Sequence, residues 1–253
     1  MPAGGRSRPE VLSGQWARAQ LIRYDRIGST NDEAKRLLSE SPGPYIIIAK
    51  SQSKGRGRQA RTFFSPPGGL YFSLAWKEAF LYKSLSLLPA LAGLAMSRSL
   101  NELYGLETGL KWVNDIMLKN KKVGGILAES VFSEPSYSYV LGIGLNLVGR
   151  ESEFPDEIKG KAGFLFEELP ENFSDLALIN NFINRLFYYF NENIDEGGRE
   201  YELLCSCQGS KIGYKINGCL VQGLVKKINP DGSLSVLLDD GSTDVLKSGE
   251  IEQ

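Results

Sequence analysis

Past Gln208 the sequence changes texture. Between Lys211 and Glu250 the turn formers Asn217-Gly218, Pro230-Asp231-Gly232 and Asp240-Gly241 cut the chain into short runs that suit strands. Short strands joined by tight turns must bury one face or close on themselves, and a small β-barrel of about 45 residues does so. Residues 208–253 are therefore expected to form a separate C-terminal domain. Residues 20–207 then form a mixed α+β region, where the chemistry should lie, and 1–19 read as a disordered tail.

Within the α+β region, residues 21–27 read as a strand, and Ser29-Thr30-Asn31 opens a helix through Leu38, with Thr30 and Glu33 spaced as a capping box. Residues 45–51 and 70–76 are β-runs, separated by a Gly-, Arg- and Pro-rich loop over 54–69 that is too long for a plain turn. A helix over 88–104 follows; Pro89 sits in its first turn, where the missing N–H costs little, and Gly105 lies just past its end. Three more β-runs span 109–113, 124–132 and 137–147, with Lys119-Asn120-Lys121-Lys122 at a hairpin-like bend between the first two. Helical patterning returns over 174–192 and near 199–205. No repeat period or heptad series is present, so solenoids and coiled coils are not expected.

Composition narrows the chemistry. The 253 residues contain no histidine, which excludes Ser-His-Asp and Cys-His catalysis, imidazole bases and histidine metal sites. Lys plus Arg total 29 against 30 for Asp plus Glu, so no bulk charge field recruits nucleic acid or anionic membrane, and any anion site must be local. The longest apolar stretch, around 85–96, is broken by Pro89 and falls short of the ~20 residues a spanning helix needs. Residues 1–9 carry Arg6 and Arg8 but no apolar core, unlike a signal peptide, and the expected compartment is cytoplasmic. Cys205, Cys207 and Cys219 match neither a zinc ribbon nor a thioredoxin pair and read as packing residues in a reducing compartment.

Three clusters could carry chemistry. In Gln52-Ser53-Lys54-Gly55-Arg56-Gly57-Arg58-Gln59-Ala60-Arg61, arginines alternate with glycines; guanidinium forks suit phosphate and carboxylate, and such a loop could close over a substrate. A solvated basic loop or an RNA-binding segment would look similar. Lys111-Trp112-Val113-Asn114-Asp115 could be turn chemistry at a strand end, whereas Lys122 followed by Gly124-Gly125 lets a ligand approach the backbone beside a cation. Ser29-Thr30-Asn31 suits a helix N-cap and also a polar ligand at a helix N-terminus. No P-loop is present, and Gly142-x-Gly144 lacks the third glycine of a dinucleotide fingerprint.

Taken in order, these segments resemble the biotin protein ligase family: Gly28-Ser29-Thr30-Asn31; Gln52 to Arg61 with Phe64-Ser65-Pro66; Lys111-Trp112-x-Asn114-Asp115; Lys122-x-Gly124-Gly125-Ile126-Leu127-x-Glu129; Gly142-x-Gly144-x-Asn146; and Asp231-Gly232-Ser233-Leu234 with Ser248-Gly249-Glu250. The resemblance implies a catalytic domain of the biotin/lipoate ligase type, a mixed β-sheet with helices packed on it, followed by an SH3-like C-terminal barrel. It implies activation of biotin with ATP and Mg²⁺ to biotinyl-5'-AMP and transfer to one lysine of a biotin carboxyl carrier protein. Ser29, Thr30 and Asn31 match the segment lining the biotin ureido pocket, and Gln52 a glutamine that hydrogen-bonds biotin. Gly55, Arg56, Gly57, Arg58 and Arg61 match the loop that orders over biotin and the adenylate. Lys122 matches the lysine that holds the biotin carboxylate and the reacting phosphate, beside Gly124 and Gly125. Lys111, Asn114 and Asp115 match groups near the adenylate and the incoming lysine, and Gly142, Gly144 and Asn146 the strand flanking the biotin and adenine sites.

On this resemblance Arg56, Arg58, Lys122 and Mg²⁺ would neutralise and align two anions, and Asp115 would orient the acceptor lysine or receive its proton. No protein metal ligand is implied. Two departures stand out: Val113 where the family usually has proline, and Phe63 where it often has tryptophan. About 20 residues precede the first strand, too few for the DNA-binding domain of regulatory members, so DNA is not an expected partner. The resemblance also allows a homodimer through exposed sheet edges. Two other readings stay open: a lipoate or octanoate ligase of the same superfamily, and a nucleic-acid-binding protein using the Gly-Arg loop.

Overall fold

The computed structural model describes residues 14–78, 85–133, 136–216, 219–247, 249 and 251. In chain order the elements are β1 (Gln20–Tyr24), α1 (Thr30–Glu40), β2 (Tyr45–Ala49), β3 (Gly69–Glu78), α2 (Leu88–Tyr104), β4 (Gly109–Lys111), β5 (Asp115–Leu118), β6 (Lys121–Ser133), β7 (Ser136–Asn146), α3 (Asp175–Phe187), α4 (Ile194–Leu204), β8 (Lys211–Ile216), β9 (Cys219–Ile228), β10 (Leu234–Leu238) and β11 (Thr243–Leu246). The chain divides into two compact units, residues 1–82 with 117–184, and residues 83–116 with 185–253. No helix of the described residues is long and apolar enough to cross a membrane.

The first unit is built on a sheet in the order β1-β2-β3-β7-β6. β1 runs parallel to β2, and the remaining neighbours are antiparallel. All five residues of β2 are buried, as a strand covered on both faces requires. On one face, Ala34 and Leu38 of α1 pack against Tyr45, Ile47, Ala75 and Val140. On the other, Phe72 of β3 meets Phe182 of α3 edge to face, with centroids 5.6 Å apart. Strand alternation separates these faces, so Ser73, Gly142 and Leu127, which are register partners across β3, β7 and β6, lie on the α1 side.

The helix at Thr30 begins as predicted, with a different cap. Ser29 is extended (φ −153°, ψ 134°), and its hydroxyl accepts the Asp32 N–H at 3.4 Å. The Thr30–Glu33 capping box does not form, because Glu33 is taken by Tyr24 and Arg36 and the Thr30 hydroxyl by Gln52 and Ser73. Residues 14–18 form a single 3-10 helix whose Trp16 is buried and edge-on to Trp76, at 5.8 Å. The rest of the expected tail, residues 1–13, lies outside the described residues.

In the second unit α2 spans the predicted residues, with Pro89 in its first turn and Gly105 closing it in the left-handed conformation (φ 66°). Gly197 lets α4 approach α2 closely: a Cβ there would lie 2.6 Å from Leu91 Cδ2. Strands β8 to β11 form an antiparallel sheet in the order β11-β10-β9-β8. This supports the SH3-like expectation, but among the described residues the sheet stays open instead of closing into the expected barrel, with β8 and β11 at its edges. Of the turns read from sequence, Asp231-Gly232 and Asp240-Gly241 are present, with φ 81° and 84° at their glycines, while Asn217-Gly218 lies outside the described residues, as do Ser248 and Glu250.

A strand was missed. β5 precedes the bend at residues 119–120, whose Lys119 and Asn120 both take positive φ (50° and 61°), as a two-residue hairpin turn needs. Four residues of Asp-Ile-Met-Leu are too few for an alternating pattern to register.

Candidate functional site

The site begins with missing side chains. Gly125 of β6 pairs directly with Gly144 of β7, and Gly142 follows on the same face, so the sheet under α1 carries a bare patch. Two side chains occupy it. A Cβ on Gly142 would stand 2.1 Å from Asn31 Oδ1; one on Gly144, 2.5 Å from Phe63 Cε1; one on Gly125, 3.1 Å from Phe63 Cε2 and 3.4 Å from Lys122 Cε. Gly124 pairs with Leu145, and alternation turns it to the opposite face.

Above Gly142 lies a buried polar array. Ser73 Oγ is 2.6 Å from Asn31 Oδ1 and 2.8 Å from Thr30 Oγ1. Asn31 Nδ2 donates to Glu129 Oε2 at 2.9 Å, which fixes the amide: its oxygen faces the hydroxyl and its nitrogen the carboxylate. The Thr30 N–H donates to Gln52 Oε1 at 2.8 Å, and Gln52 Nε2 donates to Ser65 Oγ at 3.0 Å. Ser29, Thr30, Asn31, Ser65 and Ser73 are all buried. Hydroxyls and amides that cannot reach water must find each other or a ligand, so such an array is selective for polar groups that match it.

Charge gathers at the rim. Arg56 Nη1 lies 2.6 Å from Asp32 and Nη2 3.3 Å from Glu129, and Lys35 Nζ lies 2.6 Å from the same Glu129. The hydrogen bond to Asp32, then the charge of Glu129, raise the Arg56 pKa above its ordinary value. The Lys122 ammonium stands 6.0 Å from the centroid of the Phe63 ring.

The Gly-Arg segment is a short antiparallel arm. Gln52 N–H bonds Ser65 O at 3.0 Å, Phe63 N–H bonds Gly55 O at 2.9 Å, Arg56 bridges Thr62, and Gly57 N–H bonds Arg61 O at 2.8 Å. A 3-10 turn at Arg58–Ala60 closes its tip, with positive φ at Gln59 and Ala60. Gly55 must be glycine, since a Cβ would meet Phe63 O at 2.3 Å. This pairing returns Phe63 onto the bare patch and leaves Arg58 and Arg61 at the tip.

Asn146, at the end of β7, donates through Nδ2 to Gly163 O at 3.0 Å, and Lys122 brackets the same segment through its backbone to Lys161 and Gly163. Beside this segment is a cavity of about 410 Å³ whose lining includes Lys121, Gly149, Phe154, Gly163, Phe164 and Glu167. Phe154 and Phe164 stack there with centroids 4.6 Å apart.

Lys111, Asn114 and Asp115 fall around the junction of β4 and β5, in the second unit. Their segment is held by Trp112 Nε1, which donates to Gly232 O at 2.8 Å, and by the Tyr201 hydroxyl, which donates to Val113 O at 3.3 Å. Thus Ser29, Thr30, Asn31, Gln52, Gly55, Arg56, Lys122, Gly125, Gly142, Gly144 and Asn146 are gathered around one sheet face within the first unit.

Sequence reasoning passed over Ser73, Asp32 and Lys35, and gave Ser65 no role beyond its place in a motif. Ser73 left a signal, a lone hydroxyl inside the apolar run Leu-Tyr-Phe-Ser-Leu-Ala-Trp, where a buried polar residue needs a partner. Asp32 and Lys35 look like ordinary helix-surface charges, and nothing in sequence marks them.

Residues 23–146 match the model of the Biotin/lipoate A/B protein ligase family. A biotin--[acetyl-CoA-carboxylase] ligase of Paracoccus denitrificans is 33% identical over 162 residues, 60% of this chain and 67% of that protein. The bifunctional ligase/repressor BirA of Bacillus subtilis is 29% identical over 206 residues, 80% of this chain; the chain spans only 63% of that protein's length. Among solved structures, a biotin protein ligase from Aquifex aeolicus in complex with biotin and ATP aligns with a TM-score of 0.72 at 28% identity, over 92% of this chain and 97% of that one.

Proposed function

Because the chain belongs to the biotin protein ligase family, we propose that it activates biotin with ATP and transfers the biotinyl group to a lysine of an acetyl-CoA-carboxylase-type biotin carboxyl carrier protein in the cytoplasm. In the first half-reaction a biotin carboxylate oxygen bonds to the α-phosphorus and pyrophosphate leaves; in the second the lysine nitrogen bonds to the acyl carbon and AMP leaves. We take residues 20–207 as the catalytic domain and 208–253 as an SH3-like domain.

The observation that carries this reading is the neutral array of Thr30, Asn31, Ser73 and Gln52 over a glycine-bare sheet, with the Lys122 side chain against Gly125 at the other end of the patch. Gly142 and Gly144 are two residues apart, roughly 7 Å along the strand. That spacing suits a small ligand with a neutral, hydrogen-bonding head and an acid tail. Asn31 and Gln52 would meet the ureido head, Phe63 would wall the aliphatic part, and Lys122 would draw the carboxylate. Arg56, Arg58 and Arg61 would add positive charge from the arm, opposing repulsion between carboxylate and triphosphate. No general base is needed in this half, since the nucleophile is already ionised.

Among the described residues no three His, Cys, Asp or Glu side chains converge as a metal site. When bound with ATP, Mg²⁺ would supply positive charge at the triphosphate, adding to that of Arg56, Arg58 and Lys122. The aromatic-lined cavity beside Asn146 and Lys121 is our candidate for the nucleotide. Asp115 is assigned to the acceptor lysine on the sequence resemblance.

Calorimetric titration with biotin and then lipoate, followed by mass spectrometry after adding MgATP, tests the reading. Biotin binding with appearance of biotinyl-AMP is expected. Lipoate binding alone would move the chain to the lipoyl branch, and binding of neither would overturn the assignment.

A further inference from the structure

Cys205 caps the C-terminus of α4, and the chain turns so that Cys207 comes back beside it with the two sulfurs 3.2 Å apart. Both are free thiols and buried, Cys207 completely and Cys205 to 6% exposure. The hydrogen bond from Cys207 lowers the Cys205 thiol pKa against the opposing pull of burial, while the same contact and burial raise that of Cys207. The short contact thus lets one thiol stabilise the other's thiolate, and the direction of the shifts favours Cys205 as the one that ionises. Thiolate character and access together govern which cysteines oxidise; what access the pair has is at Cys205, 6% exposed, and a neighbouring thiol resolves the product. No third ligand joins them among the described residues, so a metal pair is not built.

The pair is wired to the Lys111–Asp115 segment. Cys205 bridges Leu110, the Ser206 N–H donates to Leu110 O at 3.0 Å, and Cys205 Sγ lies 4.0 Å from the Tyr201 hydroxyl, which itself donates to Val113 O. Forming a bond of about 2.05 Å requires the sulfurs to close by roughly 1 Å, a movement that Leu110 and Tyr201 would feel.

We propose that Cys205 and Cys207 form an oxidisable site at which a small peroxide creates a reversible disulfide. The Cys205 thiolate attacks a peroxide oxygen, the O–O bond breaks, and hydroxide leaves a sulfenic acid. The Cys207 sulfur then displaces the sulfenic hydroxyl, the S–S bond forms, and water carries away the proton. Two electrons pass from the thiols to the peroxide; a dithiol returns them by exchange.

The full chain carrying Cys219→Ser, which removes the third thiol, is treated with graded hydrogen peroxide, alkylated and digested. The peptide holding both cysteines should lose two hydrogens, regain them with dithiothreitol, and shift tryptophan emission in step, because Trp112 lies in the coupled segment. In a Cys207→Ser chain the same peptide should instead gain one oxygen at Cys205. A peptide unchanged at peroxide levels that oxidise glutathione, or sulfinic acid on both cysteines without a disulfide, would overturn the proposal. None of these readings involves biotin, so this site and the ligase assignment stand or fall separately.

Discussion

Asn31 occupies the space that a side chain on Gly142 would fill, its Oδ1 lying 2.1 Å from where that Cβ would stand. Asn31 cannot retreat, because Ser73 holds its oxygen and Glu129 its nitrogen. Gly142→Ala should therefore displace the amide, weakening biotin binding by on the order of tenfold or more and costing about 1–3 kcal/mol of stability. Titration calorimetry and urea unfolding would read the two effects; unchanged affinity would mean Asn31 does not contact the ligand.

Phe63 and Gly144 are coupled in the same way, but here the obstacle can be removed. Gly144→Ala alone should destabilise through a clash with the ring, whose atoms lie 2.5–3.2 Å from the new Cβ. In a Phe63→Ala background the same substitution should cost at least ~1 kcal/mol less, a coupling expected of residues in contact. A double-mutant cycle by chemical denaturation measures it, and additive effects would contradict the packing described.

Glu129 ties α1 to the arm, since Lys35, Arg56 and Asn31 all bond to its carboxylate. Glu129→Gln keeps an acceptor for Asn31 while releasing the two cations. Biotin affinity should stay within about threefold, whereas the rate of adenylate formation should fall by on the order of tenfold, since Arg56 loses an anchor. Pyrophosphate release kinetics beside calorimetry separate the two, and a parallel loss of both would show Glu129 acting on the pocket as a whole.

Which parts of this were legible in sequence follows from range. The helix over α2 could be read because Pro89 and Gly105 mark its ends locally. The strand β7 could be read because its apolar run is long. The convergence of Asn31 with Gly142 could not be read from pattern, since the two residues are far apart in sequence; only the ordered set of motifs pointed to it. Phe63 shows the same limit. A Gly-Arg run reads as a loose loop, and only the pairing of Gly55 with Phe63 makes it an arm that delivers a ring to the patch. The short strands at the C-terminus were announced by turns such as those at Gly232 and Gly241, yet whether a sheet closes depends on pairing between its edges, which turns do not set.

Trp112 anchors its segment through one hydrogen bond, from Nε1 to the Gly232 carbonyl at 2.8 Å in a buried setting. Trp112→Phe removes the donor and leaves the carbonyl without it, which should cost about 1–3 kcal/mol. The midpoint of thermal unfolding should fall, and equal stability of the two chains would imply that water replaces the indole.

Acid should loosen the turn at Asp231. Its carboxylate accepts the Ser233 hydroxyl at 2.6 Å and the Ser233 N–H at 3.0 Å, and these bonds hold its pKa below the usual aspartate value. A pKa depressed in the folded state means that protons bind the unfolded chain more readily. The stabilisation is thus complete above the unfolded value of about 3.9 and is lost as pH falls through the lower, folded value. Asp231→Asn cannot titrate, so wild type should be the more stable chain near neutrality, with the difference shrinking as pH falls below about 4. Unfolding midpoints of both chains between neutral and acid pH measure this, and a difference that grows toward acid would reverse the assigned sign.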